Sequence, residues 1–264
     1  MRPGAVIRAA ERTLSLLCAL LMMPVLALCL EYAAEEKRIA DGGFLSGEFR
    51  ERKPLTEDAE RGGAGEEAGA KPLDALKELN PDICAWLTVD GTHIDYPVVR
   101  GEDDSFYLSR NYAGEESVSG AIFLSCGNSA DFSDSYSLIY GHHMDNGTMF
   151  GDVALFLDEE FLAAHPAGVL ITGEGTRNIR FFACVRTSED DRVVYSLTSG
   201  ASELAARADI LPGAHFPPAP GQDAQIIALS TCFGARAEER AVLFGVLERA
   251  LPWADSAGEN EERR

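Results

Sequence analysis

Eight short apolar runs, each four to eight residues long and set apart by turn-forming residues, limit the possible folds more than any other feature of this chain. They are ICAWLTV (Ile83–Val89), HIDYPVV (His93–Val99), GAIFL (Gly120–Leu124), YSLIY (Tyr136–Tyr140), VLIT (Val169–Thr172), IRFFACVR (Ile179–Arg186), QIIALSTC (Gln225–Cys232) and AVLFGVLE (Ala241–Glu248). Their β-branched and aromatic content predicts strands, and Asp90-Gly91 between the first two is a hairpin signal. Strands this numerous and short point to a mostly β domain, either a closed barrel or a sandwich. Two helical patterns interrupt them, Phe150 to Ala164 and Ser202 to Ile210, the second inside a long connection between strands.

Ahead of the strands, Leu73, Leu76 and Leu79 recur at helical spacing after Pro72, and Pro81 ends the pattern. Residues 31–70 are rich in Glu, Arg, Gly and Ala without apolar periodicity, as expected of a flexible, partly helical stalk. The uncharged run TLSLLCALLMMPVLALCL, residues 13–30, is long enough as a helix to span a bilayer. Arg2, Arg8 and Arg12 precede it, so the positive-inside bias keeps residues 1–12 in the cytoplasm and the rest of the chain outside the cell. This predicts a single-pass signal-anchor in the cell membrane. Ala27, Ala33 and Ala34 also allow the competing reading, a cleaved signal peptide. The folded domain is expected over residues 71–253, followed by a frayed acidic tail, 254–264. The net charge of −20 argues against nucleic acid as a partner, since phosphate binding needs clustered Lys and Arg. Cys84, Cys126, Cys184 and Cys232 are widely spaced among apolar neighbours, which suits buried free thiols better than a disulfide scaffold.

Cys232 nevertheless stands out. In QIIALSTC the period of two puts Ile226, Ala228, Ser230 and Cys232 on one face, and Cys232 closes the run. The next strand begins near Arg240, so an antiparallel pairing brings Cys232 and Arg240 to the same end of the sheet. A permanently charged guanidinium there suits a developing oxyanion. His142, just after the strand SYSLIYG, is the candidate acid and base for a cysteine nucleophile. No Asp or Asn obviously completes a triad, although Asp145 and Asn146 lie nearby. The bland alternatives are a small buried thiol, a solvated arginine and structural histidines. Metal binding by His142 and His143 is disfavoured, because successive side chains in extended chain point oppositely and no ligand spacing recurs.

The order of YGHHM, DNGTMFG, LSTC and then an arginine opening the next strand resembles the sortases, specifically class B. NPDICAWLTVDGTHIDYPVV, FYLSRNY and GAIFLSCGN extend the resemblance over Leu79 to Glu248. It implies a closed eight-stranded β-barrel with an added N-terminal helix and a helix in the long connection before the cysteine strand. It also implies a cysteine transpeptidase with His142, Cys232 and Arg240 as catalytic residues and Ser230 as a contact for the sorting-signal peptide. Arg236, inside the loop, is the rival for the arginine role. The implied partners are surface proteins with a C-terminal Asn-Pro-x-Thr-type sorting signal and the amine of a lipid-linked peptidoglycan precursor, reached from the membrane through the N-terminal helix. No cofactor or metal is required by this chemistry. The remaining alternatives are a pilin-polymerising sortase, an endopeptidase releasing peptide to water, and a non-catalytic membrane-tethered binding module on the same barrel.

Overall fold

Ile83–Val89 (β1) and Asp95–Val99 (β2) form the antiparallel hairpin expected around Asp90-Gly91, with Gly91 at φ +74°, a conformation that favours glycine. The computed structural model describes residues 22–30, 51–54, 73–215, 220–232 and 238–252. Phe123–Leu124 (β3), Tyr136–Tyr140 (β4), Ala167–Thr172 (β5), Gly175–Ser188 (β6), Gly213–His215 (β7), Gln225–Cys232 (β8), Glu239–Leu247 (β9) and Leu251–Pro252 (β10) complete the strands. The pairing runs β6-β5-β1-β2-β3-β4-β8-β9 and returns from β9 to β6, which closes an eight-stranded barrel and leaves the sandwich aside. The two short strands that sequence reading missed, β7 and β10, both pair with β6.

Alternate side chains of β4, β8 and β9 enter two different apolar clusters. Ile139, Ile227, Leu229 and Leu243 join the larger one. Tyr136, Leu138, Ile226, Ala228, Val242 and Phe244 join a smaller one beneath the helix Ala201–Ile210 (α3). That helix contributes Ala201, Leu204, Ala205 and Ala208, spaced by three and four residues as one helical face requires. Full burial of Leu204 contributes roughly 1.5–3 kcal/mol. The wall formed by β4, β8 and β9 is therefore covered on both sides over most of its length.

Three expectations are corrected. The N-terminal helix shrinks to Asp74–Lys77 (α1), anchored by the buried Leu73 and Leu76. The helix expected over Phe150 to Ala164 is broken into a 3₁₀ segment, Gly151–Leu157, and the α-helix Glu159–Ala164 (α2). Asp158 breaks it: its backbone is extended, and its carboxylate accepts from the N–H groups of Glu160 (2.8 Å) and Phe161 (3.0 Å), a cap that starts a new helix. Finally, the described cysteines are all free, but only Cys84 and Cys184 are buried; Cys126 is half-buried and Cys232 is exposed.

The chain divides into two compact units, residues 1–41 and 42–264. In the first, residues 22–30 are helical, while residues 13–21 of the expected anchor lie outside the described residues. Among the described residues no helix is long and apolar enough to cross a membrane. In the second, residues 51–54 of the expected stalk lie against the domain: Lys53 pairs with Asp95 at 2.7 Å, Arg52 donates to the Ala75 carbonyl at 2.7 Å, and Pro54 is buried. Residues 31–50, 55–70 and 254–264 lie outside the described residues.

Candidate active site

The register of three neighbouring strands assembles the site. β4 and β8 run parallel with Tyr140 opposite Ser230, and the Gly141 N–H continues the ladder to the Ser230 carbonyl at 3.2 Å. Two residues beyond this pair stand His142, just past the end of β4, and Cys232, the last residue of β8. β8 and β9 run antiparallel, and the pair that ends their ladder is Cys232 opposite Arg240. Opposed residues share a face of a sheet. That face is the one whose earlier residues, Leu138, Ala228 and Val242, pack under α3. Where this cover ends, His142, Ser230, Cys232 and Arg240 line one cleft of about 330 Å³, on the outside of the barrel. All four residues singled out from sequence meet there. Arg236 lies outside the described residues.

The imidazole of His142 is oriented by backbone. Its Nε2 lies 2.7 Å from the carbonyl oxygen of Leu108. A carbonyl only accepts, so this nitrogen carries the proton and Nδ1 is the basic atom of the neutral ring. Among the described residues, the group that orients the ring is thus a peptide carbonyl. Asp145 instead approaches His143, at 3.9 Å from its Nε2, and Asn146 caps the Thr148 N–H at 3.1 Å. His143 forms an isolated bridge with Met149 and does not line the cleft.

Gly120 explains how Leu108 reaches the histidine. Its φ is +59°, and a Cβ there would lie 2.7 Å from the Tyr107 carbonyl oxygen, 2.8 Å from that of Leu108 and 3.0 Å from Cδ2 of His142. Only a residue without a side chain lets these three come together. Gly120→Ala is expected to destabilise the fold by about 1–3 kcal/mol, to be measured by urea unfolding. An unchanged midpoint would show that the loop absorbs the methyl group.

Ser230 makes a contact that sequence reading missed. Its hydroxyl lies 2.9 Å from the phenol oxygen of Tyr195, whose ring stacks on Tyr140 with centroids 6.5 Å apart and planes within 4°. Burial pushes the Tyr195 phenol up to about 12, against the Ser230 hydrogen bond and the charge of Arg240, which pull it down. It therefore stays protonated at neutral pH and can both donate and accept. Tyr140 is shifted upward by burial as well. Tyr140 was findable, since it precedes His142 by two residues on the same strand face. Tyr195 was not, because it lies in the connection between β6 and α3, where no periodicity places a side chain.

No family model matches the chain. Solved structures do. A Streptococcus pyogenes class B sortase involved in pilus biogenesis is 34% identical, with a TM-score of 0.62 over 67% of this chain and 97% of that one. The chain belongs to the class B sortases. The crystal structure of Clostridium perfringens sortase B is similar to this class B sortase at 28% identity and a TM-score of 0.60, covering 66% of the chain and 98% of that structure. The curated Sortase B of Listeria monocytogenes is 39% identical over 118 residues, 45% of this sortase and 48% of the relative. This sortase spans about half the length of the curated relatives it matches.

Proposed function

We propose that this class B sortase is a cysteine transpeptidase that joins a sorting-signal peptide to an amine. The supporting observation is the strand register that sets Cys232 between Arg240 and the position of His142, at the rim of one cleft. The Cys232 thiolate attacks the threonine carbonyl of an Asn-Pro-x-Thr-type signal, forming a carbon–sulfur bond. Negative charge develops on the carbonyl oxygen, where the Arg240 guanidinium donates to it. The carbon–nitrogen bond after threonine then breaks, and imidazolium His142 protonates the departing amine. Because Nε2 is committed to the Leu108 carbonyl, that proton moves at Nδ1. An incoming amine next attacks the thioester, His142 takes its proton, and an amide and the thiolate are released. Ser230 and Tyr195, at one side of the cleft, are the polar groups available to the signal peptide.

The acceptor in this reading is an amine of a lipid-linked peptidoglycan precursor, and the clients are surface proteins. The apolar run 13–30 supports a membrane tether, with the domain outside the cell. Sharing a membrane would raise the effective concentration of client and precursor. A protein lysine is the second acceptor reading, favoured by the similarity to a sortase involved in pilus biogenesis.

The decisive experiment supplies Asn-Pro-x-Thr peptides together with triglycine, a peptidoglycan stem peptide or a lysine peptide, and reads product masses. A thioester on Cys232 and a new amide are expected. Hydrolysis alone would make the protein an endopeptidase, and no thioester with any peptide would leave a binding module. In the same assay Arg240→Ala should lower kcat by about 10²–10³-fold, the usual cost of losing an oxyanion donor. A loss confined to KM would assign Arg240 to binding instead.

A further inference from the structure

We propose that Glu189 is a positioning residue for Arg240, holding the guanidinium in the cleft wall before the substrate arrives. The inference rests on the reading of this cleft as a transpeptidase site. Arg240 lies between two strands, opposite Cys232 on β8 and opposite Thr187 on β6. Its Nη2 donates to the Glu189 carboxylate and its Nη1 donates to the Glu239 carbonyl at 3.0 Å. Two contacts on two different nitrogens fix the plane of a side chain that otherwise has many rotamers. Arg240 and Glu189 line the same cleft.

Glu189 is itself on a braced turn. Its N–H donates to the Glu238 carbonyl at 2.9 Å, and the Asp191 N–H closes the turn onto Ser188 at 3.0 Å. The carboxylate of Asp191, almost wholly buried, accepts from the Thr187 hydroxyl at 2.7 Å, from Arg207 Nε at 2.8 Å, and from the Val193 and Val194 N–H groups at 3.1 and 3.2 Å. Burial alone would raise the Asp191 carboxyl, but the hydrogen bonds of Arg207, Thr187 and Val194 prevail and hold it below the usual carboxylate range. The bracing therefore passes from α3 through Arg207 and Asp191 to the turn that carries Glu189, and from there to Arg240.

The Glu189 side chain is half exposed, so the ion pair is a weak brace for the fold itself. Its value lies in direction. A donor already aimed needs no reorganisation when charge develops on the carbonyl oxygen.

The test measures kcat and KM separately, with the Asn-Pro-x-Thr peptide and amine that the unmodified protein joins best. Glu189→Ala should lower kcat by about tenfold and change KM by less than about twofold, because orientation matters most in the transition state. Glu189→Gln keeps a hydrogen-bond acceptor without the charge and should restore at least about a third of kcat. In an Arg240→Lys background, Glu189→Ala should change kcat by less than about twofold, since its effect is relayed through the guanidinium. A purely structural role would lower the melting temperature and leave kcat unchanged. That result, or an equal loss in the Arg240→Lys background, overturns this assignment and leaves the transpeptidase reading intact. An unmodified protein that forms no thioester overturns both.

Discussion

Cys232→Ala should fold normally and form no thioester, with turnover falling by a factor on the order of 10⁴ or more. The magnitude follows from the mechanism. Without sulfur there is no covalent intermediate, and the remaining groups can only orient a peptide beside an amine. The folding half of the expectation follows from exposure: Cys232 stands at the open end of β8, so its side chain contributes little packing. Intact-mass analysis after incubation with the peptide separates the two halves, and a melting curve confirms the fold. The other thiols of the barrel domain do not confuse the experiment. Burial pushes Cys84 up to about 12 and raises Cys184 as well. Cys126 is raised by desolvation and by the neighbouring Asp104. At neutral pH these three are poor nucleophiles, so within the barrel domain alkylation should fall on Cys232 first, while the exposed Cys29 lies outside that domain. A thioester persisting in Cys232→Ala would move the nucleophile elsewhere and dismantle the proposed chemistry.

The second large effect separates two adjacent histidines. His142→Ala should lower kcat by about 10²–10⁴-fold, the range expected for a lost general acid and base. His143→Ala should stay within about threefold, the small change expected away from the reacting groups. The difference comes from the backbone, since neighbouring residues in extended chain point to opposite sides. His142 lines the cleft and is held by the Leu108 carbonyl, whereas His143 leans toward Asp145. Steady-state kinetics on both variants, with the same peptide and amine, decides it. A His143 variant as inactive as the His142 variant would reverse the assignment.

The legible part of this molecule was carried by local periodicity. QIIALSTC alternates, so the face shared by Ser230 and Cys232 followed from counting. An eight-residue step across a loop placed Arg240 opposite Cys232, as the register now records. The eight main strands were readable for the same reason, although β6 runs from Gly175 to Ser188, well beyond its apolar centre at IRFFACVR. Polar residues such as Arg177 lengthen it because they find partners across the barrel, including the carbonyls of Glu248 (2.7 Å) and Phe132 (2.9 Å). Such pairing is invisible in a window of sequence. The Phe150 to Ala164 segment misled for a related reason. Its apolar spacing is helical, yet an aspartate in the middle competes for backbone N–H groups and restarts the helix. The groups that orient the candidate site were the least legible. Leu108 acts through a carbonyl that every residue possesses, while Tyr195 and Glu189 come from a connection placed only by the closed fold.

The two-sided pairing of β8 has a structural consequence. The strand is hydrogen-bonded to β4 along one edge and to β9 along the other, like a zip closed on both sides. Deleting a single residue within it would invert every later side chain, sending the sulfur toward the barrel interior and Thr231 outward. A length change in this strand therefore disrupts the site along with the ladder. Insertions in the segment between β6 and β7, by contrast, leave that ladder untouched.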